Sequence, residues 1–293
     1  MVIVEICGGL GNQMFRYAFA KRYSELCGDK LYFSLRTYHK KGNRQFSLNN
    51  LSLQTEIDEI NSFFIYIYLM IMKIRVRYLS RNNSKYSIFQ KTGYYKSEGI
   101  EAISIPISKK RIKYFTADFQ SEKYFEVISR QIKAEFKVKT PPSEENRSWI
   151  DIISSTKNTV CVHVRRGDYM NPEFRDRYLV CNEKYYRKAI NLMKSKLNNP
   201  VFYFFSEDIK WVKSLKFDCN AKYVDLDNPD YEELRLMYLC KNFIISNSTF
   251  SWWAQYLSDT TDKIVIAPCC WMNDKNCNYD PIYDSNWILV DNK

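Results

Sequence analysis

The segment VCVHVRRGDYM, residues 160–170, places two adjacent arginines at the end of a run typical of a buried strand. In an extended strand, neighbouring side chains point to opposite faces, so Arg165 and Arg166 cannot share one site while the strand continues. Gly167 allows the chain to turn there. One guanidinium can then bind a phosphate through two parallel hydrogen bonds, while the other pairs with Asp168 or braces the turn. We interpret this segment as an anion site rather than as a surface arginine pair.

Two further turns carry residues that suit an anion. GGLGNQ, residues 8–13, lies between a strand and a helix pattern, where glycines allow close backbone approach and exposed N–H groups can bind a ligand. NSTFSWW, residues 247–253, follows a strand pattern and places capping side chains at the positive end of a helix dipole. A plain tight turn explains the first stretch equally well, and a simple cap explains one hydroxyl of the second.

The residue patterns argue against two other chemistries. GGLGNQ fails the dinucleotide fingerprint, because Met14 stands where the third glycine belongs and no acidic residue closes the strand at 31–36. DLD at 225–227 resembles a metal-binding Asp-x-Asp, but we favour an Asp-Asn-Pro turn in which Asp227 caps the next helix. The sequence has two histidines and nine cysteines without a CxxC pair, so the usual zinc spacing is absent.

Strand and helix patterns alternate around these motifs. The chain opens with a strand at 2–6, a helix that ends at Cys27-Gly28, and a strand at 31–36. This alternation continues after residue 158 and predicts parallel, doubly wound sheets. The later strand patterns lie at 159–165, 200–208, 221–226, 242–246, 262–268 and 287–291, and the helix patterns at 183–197, 209–215, 231–241 and 248–258.

The middle of the chain carries weaker signals. Residues 50–135 are apolar, basic and aromatic with few turn markers, and we predict mostly helix there. TPPSEENRS at 140–148 has the composition of a linker. We therefore predict two facing Rossmann-like domains, one at 1–145 and one at 146–293.

The composition indicates a folded protein with an anionic partner. The 44 basic and 33 acidic residues give a net charge of +11, which favours nucleic acid, an acidic membrane or a phosphorylated small molecule. The basic residues are scattered, so nucleic acid is the weakest of the three. An odd number of cysteines without a pairing pattern favours free thiols and a cytoplasmic location. The first ten residues predict a strand rather than a signal peptide.

The most apolar stretch is FFIYIYLMIM at 63–72, followed by the basic KIRVRYLSR at 73–81. Ten residues cannot cross a bilayer, which takes about 20. A buried helix or strand is the default interpretation. Peripheral contact with an anionic inner membrane is the alternative hypothesis, because apolar and basic residues lie side by side.

Several motifs together resemble one enzyme family. HVRRGD at 163–168 resembles the HxRRxD motif shared by α-1,2- and α-1,6-fucosyltransferases. GGLGNQMF at 8–15 and NSTFSWW at 247–253 resemble the α-1,2-fucosyltransferases of glycosyltransferase family 11, in particular the bacterial members. The resemblance spans nearly the whole chain, with weaker matches at 44–51, 119–125, 185–190 and 205–211.

The resemblance implies a GT-B-type α/β fold with an acceptor-side N-terminal domain and a GDP-sugar-binding C-terminal domain. It implies transfer of L-fucose from GDP-β-L-fucose, with inversion and without a metal ion or other cofactor, to the 2-hydroxyl of a galactoside. The acceptor would be an oligosaccharide or lipid-linked glycan in surface polysaccharide or O-antigen synthesis. The implied donor-binding residues are Gly11, Asn12, Gln13, Glu233, Asn247, Ser248 and Thr249, and the implied catalytic motif contains His163, Arg165, Arg166 and Asp168.

Charge development in such a transfer explains the need for arginine. Breaking the sugar–phosphate bond builds negative charge on the leaving diphosphate. Arg165 or Arg166, together with the helix that starts near Ser248 and Thr249, can stabilise that charge.

The base that accepts the proton of the acceptor hydroxyl stays unassigned. Asp168 is the nearest carboxylate in sequence, but a carboxylate that pairs with an arginine is a weak base, so we favour a structural role for it. Glu173, Asp176 and Glu183 lie further on. For His163 the residue pattern alone favours a hydrogen-bonded core histidine.

Three other functions remain open at this point. The chain could use another GDP-sugar or acceptor, including a protein acceptor, or it could bind a nucleotide or glycan without catalysis. A basic nucleic-acid-binding module is the third, although no recognisable nucleic-acid-binding motif occurs.

Overall fold

The computed structural model describes residues 1–39, 44–97, 105–273 and 279–292, which form two compact units. The described residues of the first unit are those up to 136 and the short segment 279–282; those of the second are 137–273 and 283–292. No helix in these ranges is long and apolar enough to span a bilayer. The eight cysteines in the same ranges are free thiols, as predicted.

The first unit contains a parallel sheet of four strands within the described ranges. Its strands are β1 (Val2–Glu5), β2 (Leu31–Ser34), β3 (Tyr94–Lys96) and β4 (Lys113–Thr116), in the order β2-β1-β4-β3. Its helices are α1 (Leu10–Cys27), α2 (Arg36–His39), α3 (Ser62–Leu79), α4 (Lys85–Thr92) and α5 (Ser129–Glu135).

The predicted strand–helix–strand opening is confirmed. All four residues of β1 are buried, and most of α1 is buried as well. Gly28 ends α1 in the left-handed conformation, with φ of 63°, and its N–H donates to the carbonyl of Glu25. A residue without a Cβ adopts this conformation without strain, which explains the stop.

The prediction of mostly helix for 50–135 is only partly confirmed. The described residues contain α3, α4 and α5 there, but also β3 and β4, and β4 pairs with β1 inside the sheet. Tyr114 and Phe115 on β4 are both fully buried on opposite faces. A strand buried on both faces shows a continuous apolar run instead of alternation, so its pattern resembles that of a buried helix.

The second unit contains a parallel sheet of six strands within the described ranges. The strands are β5 (Thr159–His163), β6 (Val201–Phe205), β7 (Asn220–Tyr223), β8 (Asn242–Ile244), β9 (Val265–Pro268) and β10 (Ile288–Val290), in the order β10-β9-β8-β5-β6-β7. The helices are α6 (Glu144–Ser155), α7 (Pro172–Tyr178), α8 (Glu183–Lys196), α9 (Ile209–Ser214), α10 (Asp230–Tyr238) and α11 (Thr249–Leu257). The alternation predicted for this half is confirmed.

Two local predictions for the second unit are wrong. The linker predicted at 140–148 contains the start of α6, because Ser143 caps that helix by accepting a hydrogen bond from the N–H of Asn146. Asp227 does not cap α10, since Pro229 occupies the N-cap position.

The strand order of the second unit creates a switch point. The chain passes from β5 outward through β6 to β7 and then returns to β8 on the other side of β5. In open α/β sheets, ligands bind in the crevice at the carboxyl ends of the strands where the order reverses. This crevice lies between β5 and β8.

Candidate active site

Three polar segments meet at the carboxyl edge of the second sheet. HVRRGD (163–168) follows β5, SED (206–208) follows the neighbouring β6, and NST (247–249) follows β8 on the other side. Parallel strands end at the same edge, so these segments lie close together. The arginine pair therefore lies beside the switch point.

Arg165 is held by two carboxylates and an aromatic ring. Its Nη2 lies 2.5 Å from Oδ1 of Asp168, and its Nη1 forms an ion pair with Glu207. Its guanidinium carbon lies 5.3 Å from the ring centroid of Tyr169, and the hydroxyl of Tyr169 donates to the carbonyl of Asn247, which follows β8. These contacts hold the guanidinium between Glu207, which follows β6, and Tyr169, whose hydroxyl bonds to the segment after β8.

Arg166 is held toward β6 instead. Its Nε lies 2.9 Å from Oδ2 of Asp208, and its guanidinium stacks on Trp211 at 3.9 Å from the ring centroid. Gly167 turns the chain with φ of 24°, and a Cβ there would lie 3.1 Å from Oε1 of Glu207. Both arginines are thus paired with the consecutive carboxylates that follow β6, and Arg165 is also paired with Asp168.

His163 is the last residue of β5 and is buried. Its Nδ1 lies 2.9 Å from Oγ of Ser246, which follows β8, and its ring lies beside Phe250. Burial, and secondarily the charge of Arg165, lower the pKa of His163 to about 3. The imidazole is therefore neutral near pH 7 and connects the ends of β5 and β8.

The segment after β8 provides the N-terminal cap of α11. Oγ of Ser248 caps the helix by accepting from the N–H of Phe250 at 3.3 Å, and Thr249 is the first helical residue. The side-chain amide of Asn247 donates to the carbonyl of Tyr178 at 2.8 Å. The first N–H groups of a nine-residue helix consequently lie at the crevice, where they favour negative charge.

Glu233 is a half-buried carboxyl on α10. Burial raises its pKa to about 7, although the positive charge of Arg165 opposes the shift. A carboxyl with this pKa changes protonation near neutral pH, so it can accept or donate a hydrogen bond to a ligand there.

The glycine-rich turn belongs to the first unit. Gly8 has φ of 80°, and Gly11 and Asn12 lie in the first turn of α1. The Gln13 side chain is fully buried, donates to the carbonyls of Gly8 and Gln45, and accepts from the N–H of Ser47. Gln13 therefore braces the turn, while Asn12 accepts from the side chain of Gln120.

The DLD segment shows no sign of ion binding. Asp225 pairs with Lys213 at 2.7 Å, and the described residues contain no group of three or more His, Cys, Asp or Glu side chains placed to hold a metal ion.

Glu207 and Asp208, which hold both arginines, were not among the site residues predicted from the sequence. A signal was available, because they directly follow the strand PVFYFF and the carboxyl ends of adjacent parallel strands converge. Which strand neighbours β5 was not evident from the sequence, and the pairing depends on that order.

Comparisons with known proteins agree with this architecture. The model of glycosyl transferase family 11 matches residues 1–291. The chain is 31% identical over 302 residues to an alpha-1,2-colitosyltransferase of Escherichia coli, covering 99% of both chains. It is 29% identical over 290 residues to the Escherichia coli O-antigen biosynthesis glycosyltransferase WbnK, covering 92% of this chain and 95% of the relative.

The fold resembles a solved structure as well. A mutant of Arabidopsis thaliana FUT1 in complex with GDP matches with a TM-score of 0.52 and 14% identity, over 90% of this chain and 69% of that one. The two parallel α/β units and this likeness identify a GT-B-type fold, as predicted.

Proposed function

Because this chain belongs to glycosyl transferase family 11, we propose that it transfers L-fucose from GDP-β-L-fucose to the 2-hydroxyl of a galactoside. The product is an α-1,2-linked glycan, formed with inversion at the anomeric carbon and without a metal ion. The observation that supports this best is the position of Arg165 and the α11 N-terminus on the two sides of the β5–β8 switch point. The motifs at 8–15, 163–168 and 247–253 favour fucose.

The reaction needs positive charge beside the leaving diphosphate, which gains negative charge as the bond breaks. The galactoside oxygen attacks the anomeric carbon, the bond to the β-phosphate oxygen breaks, and its electron pair goes to the diphosphate. Arg165 and the N–H groups near Ser248 and Thr249 would stabilise that charge, while Arg166 braces the turn through Asp208. The hydroxyl proton goes to a base that we leave unassigned, since Asp168 pairs with Arg165.

We assign the donor to the second unit and the acceptor to the first, with predicted boundaries at 1–145 and 146–293. Gly11 and Asn12 are proposed as further contacts of the donor, and Gln13 as the residue that supports their turn. Asn247 and His163 are proposed to support the loops around the crevice. The free thiols of the described residues fit a reaction in the cytoplasm. The proposed acceptor is an oligosaccharide or lipid-linked glycan used in surface polysaccharide synthesis, and not a nucleic acid.

Colitose is a second candidate for the transferred sugar. It is the 3-deoxy analogue of L-fucose, and the Escherichia coli relative named for it matches this chain over 99% of its length. A pocket that hydrogen-bonds the 3-hydroxyl of fucose would reject colitose strongly, whereas an apolar pocket would discriminate weakly.

The test is a transfer assay with GDP-fucose and GDP-colitose against a panel of β-galactosides, with linkage analysis of the product. An α-1,2-linked fucosyl galactoside, formed equally well in EDTA, is expected. Exclusive use of GDP-colitose selects the second candidate. GDP binding without transfer of either sugar, or activity that EDTA abolishes and manganese restores, contradicts the proposal.

We expect GDP binding to depend on the ionisation of Glu233. If its carboxylate accepts hydrogen bonds from the guanine edge, the bound state favours the ionised form. The affinity for GDP should therefore rise as the pH increases through about 7, the pKa of Glu233 in the free protein. Calorimetric titrations between pH 6 and 8, in steps of about half a unit, measure this.

Glu233→Gln should remove that pH dependence, and Glu145→Gln, at an exposed position of α6, serves as the matched control that keeps it. The raised pKa also predicts the stability profile. The folded state keeps its proton where the unfolded carboxyl, with a pKa of 4.5, has lost it, so the free energy of unfolding falls between pH 4.5 and about 7 and is level above. An unchanged GDP affinity profile in Glu233→Gln would exclude Glu233 from the nucleotide site.

A further inference from the structure

Helix α3 exposes an unusually apolar surface to solvent. It is anchored on the sheet of the first unit by Ile65 and Leu69, which pack against Ile3 and Tyr114. The opposite side of the helix remains uncovered, with Ile74 73% and Tyr78 76% exposed. Its exposed large apolar side chains are Phe63, Phe64, Tyr66, Ile67, Met70, Ile71, Ile74 and Tyr78.

These side chains form one continuous face. With 3.6 residues per turn, the eight residues from Phe63 to Tyr78 cover an arc of about 160° on the side away from Ile65 and Leu69. Lys73 and Arg75 lie at the two borders of that arc, and Arg77 lies within it near the end of the helix; all three are exposed. An apolar face between basic borders is the arrangement of a helix that lies in the plane of a membrane interface.

The charged side chains of the sequence segment that contains α3 are all positive. Residues 60–97 contain no Asp or Glu, but they contain seven basic residues. They are Lys73, Arg75, Arg77, Arg81, Lys85, Lys91 and Lys96. A surface of this kind is attracted to anionic lipid headgroups.

We propose that the outer face of α3 docks on an anionic membrane surface, with its apolar arc inserted at the level of the headgroups. Ile65 and Leu69 pack against the sheet, so the face of α3 opposite to them is the one available for insertion. A second copy of the chain fits less well. A twofold interface would place the basic residues of α3 against themselves, without an acidic residue in 60–97 to neutralise them.

The test is cosedimentation of the full chain with vesicles of phosphatidylcholine alone or with about 30% phosphatidylglycerol. Wild-type protein should bind the anionic vesicles at least about tenfold better than the neutral ones. Phe63→Ser with Ile74→Ser removes apolar area, and Lys73→Gln with Arg75→Gln and Arg77→Gln removes three charges. Each combination should lower binding to the anionic vesicles by at least about tenfold.

Matched controls separate this surface from general charge and hydrophobicity. Val127→Ser removes an apolar side chain that is 73% exposed elsewhere. Lys184→Gln with Lys196→Gln and Lys222→Gln removes three exposed charges from the second unit. Both should bind within about twofold of wild type. Equal binding of the wild type and the α3 variants overturns the proposal. So does a dimer that the α3 substitutions dissociate without any change in vesicle binding.

Discussion

Arg165→Lys should lower kcat for sugar transfer by about 100- to 1,000-fold, even though the positive charge is kept. The guanidinium is fixed by Asp168 at 2.5 Å, by Glu207 and by the ring of Tyr169. A lysine ammonium cannot make two parallel hydrogen bonds to a phosphate, and it cannot occupy the same pair of carboxylates in the same geometry. Stopped-time assays at saturating GDP-fucose measure kcat, and calorimetry measures GDP affinity.

Arg166→Lys is the matched comparison within the same motif. Its effect should be smaller, because Arg166 contacts Asp208 and Trp211, which both follow β6, whereas Arg165 is also connected through Tyr169 to the segment after β8. The exposed Arg187→Lys, which changes an ion pair with Glu183 on α8, should leave kcat unchanged. If Arg165→Lys turns over at the wild-type rate while Arg166→Lys does not, the roles of the two arginines are reversed. If neither variant loses activity, the guanidinium mechanism is wrong.

Glu207 gives the site a feature that follows only from the three-dimensional arrangement. Its carboxylate pairs with Arg165 and its second oxygen lies 3.3 Å from the N–H of Arg166. A diphosphate that approaches Arg165 must therefore compete with this carboxylate.

The contacts of the site that could be predicted were those between residues close together in the sequence. The turn at Gly167 predicted that one arginine can pair with the nearby Asp168, and the structure shows this pair for Arg165. The other partners of the two arginines lie elsewhere in the chain. These partners were not predictable, since Glu207 and Asp208 come from another strand and the strand order is set by long-range pairing. The role of Gln13 was hidden for the same reason, because its hydrogen bonds reach Gln45 and Ser47.

The fold was predictable where short apolar runs are bounded by turn residues and alternate with helix patterns, and less so in the middle of the chain, where turn markers are few. In the second unit, the strands and the helices α8 to α11 lie within a few residues of the predicted ones, whereas α6 and α7 were not predicted. In the first unit, β4 is buried on both faces, so its sequence lacks a diagnostic period. Helix α3 was ambiguous for the opposite reason, because it is apolar on its packed face and on its exposed face.

Glu135→Ala should lower the free energy of unfolding by about 3–5 kcal/mol, the largest stability loss we expect from a single substitution. The Glu135 carboxylate is fully buried, lies 2.7 Å from Nζ of Lys21, and accepts a 2.5 Å hydrogen bond from the hydroxyl of Tyr17. Burial and this hydrogen bond raise the pKa of Tyr17 above its ordinary value, so Tyr17 stays a donor. Removing the carboxylate leaves the Lys21 ammonium buried without its counter-charge, beside the neutral Thr55 hydroxyl. Urea unfolding of the whole chain measures the change.

Two further variants distinguish loss of the ion pair from loss of packing. The exposed Glu126→Ala should change the free energy of unfolding by less than about 0.5 kcal/mol. Glu135→Leu combined with Lys21→Met should recover most of the loss, because two apolar side chains of similar length leave no uncompensated charge between α1 and α5. If the double variant is as unstable as Glu135→Ala, the Glu135 carboxylate stabilises the first unit through its hydrogen bond with Tyr17 and through packing, and not through Lys21. In that case Tyr17→Phe should lower the free energy of unfolding by a comparable amount. Because Tyr17 lies on α1, this result would connect the stability of the first unit to the helix that follows the glycine-rich turn.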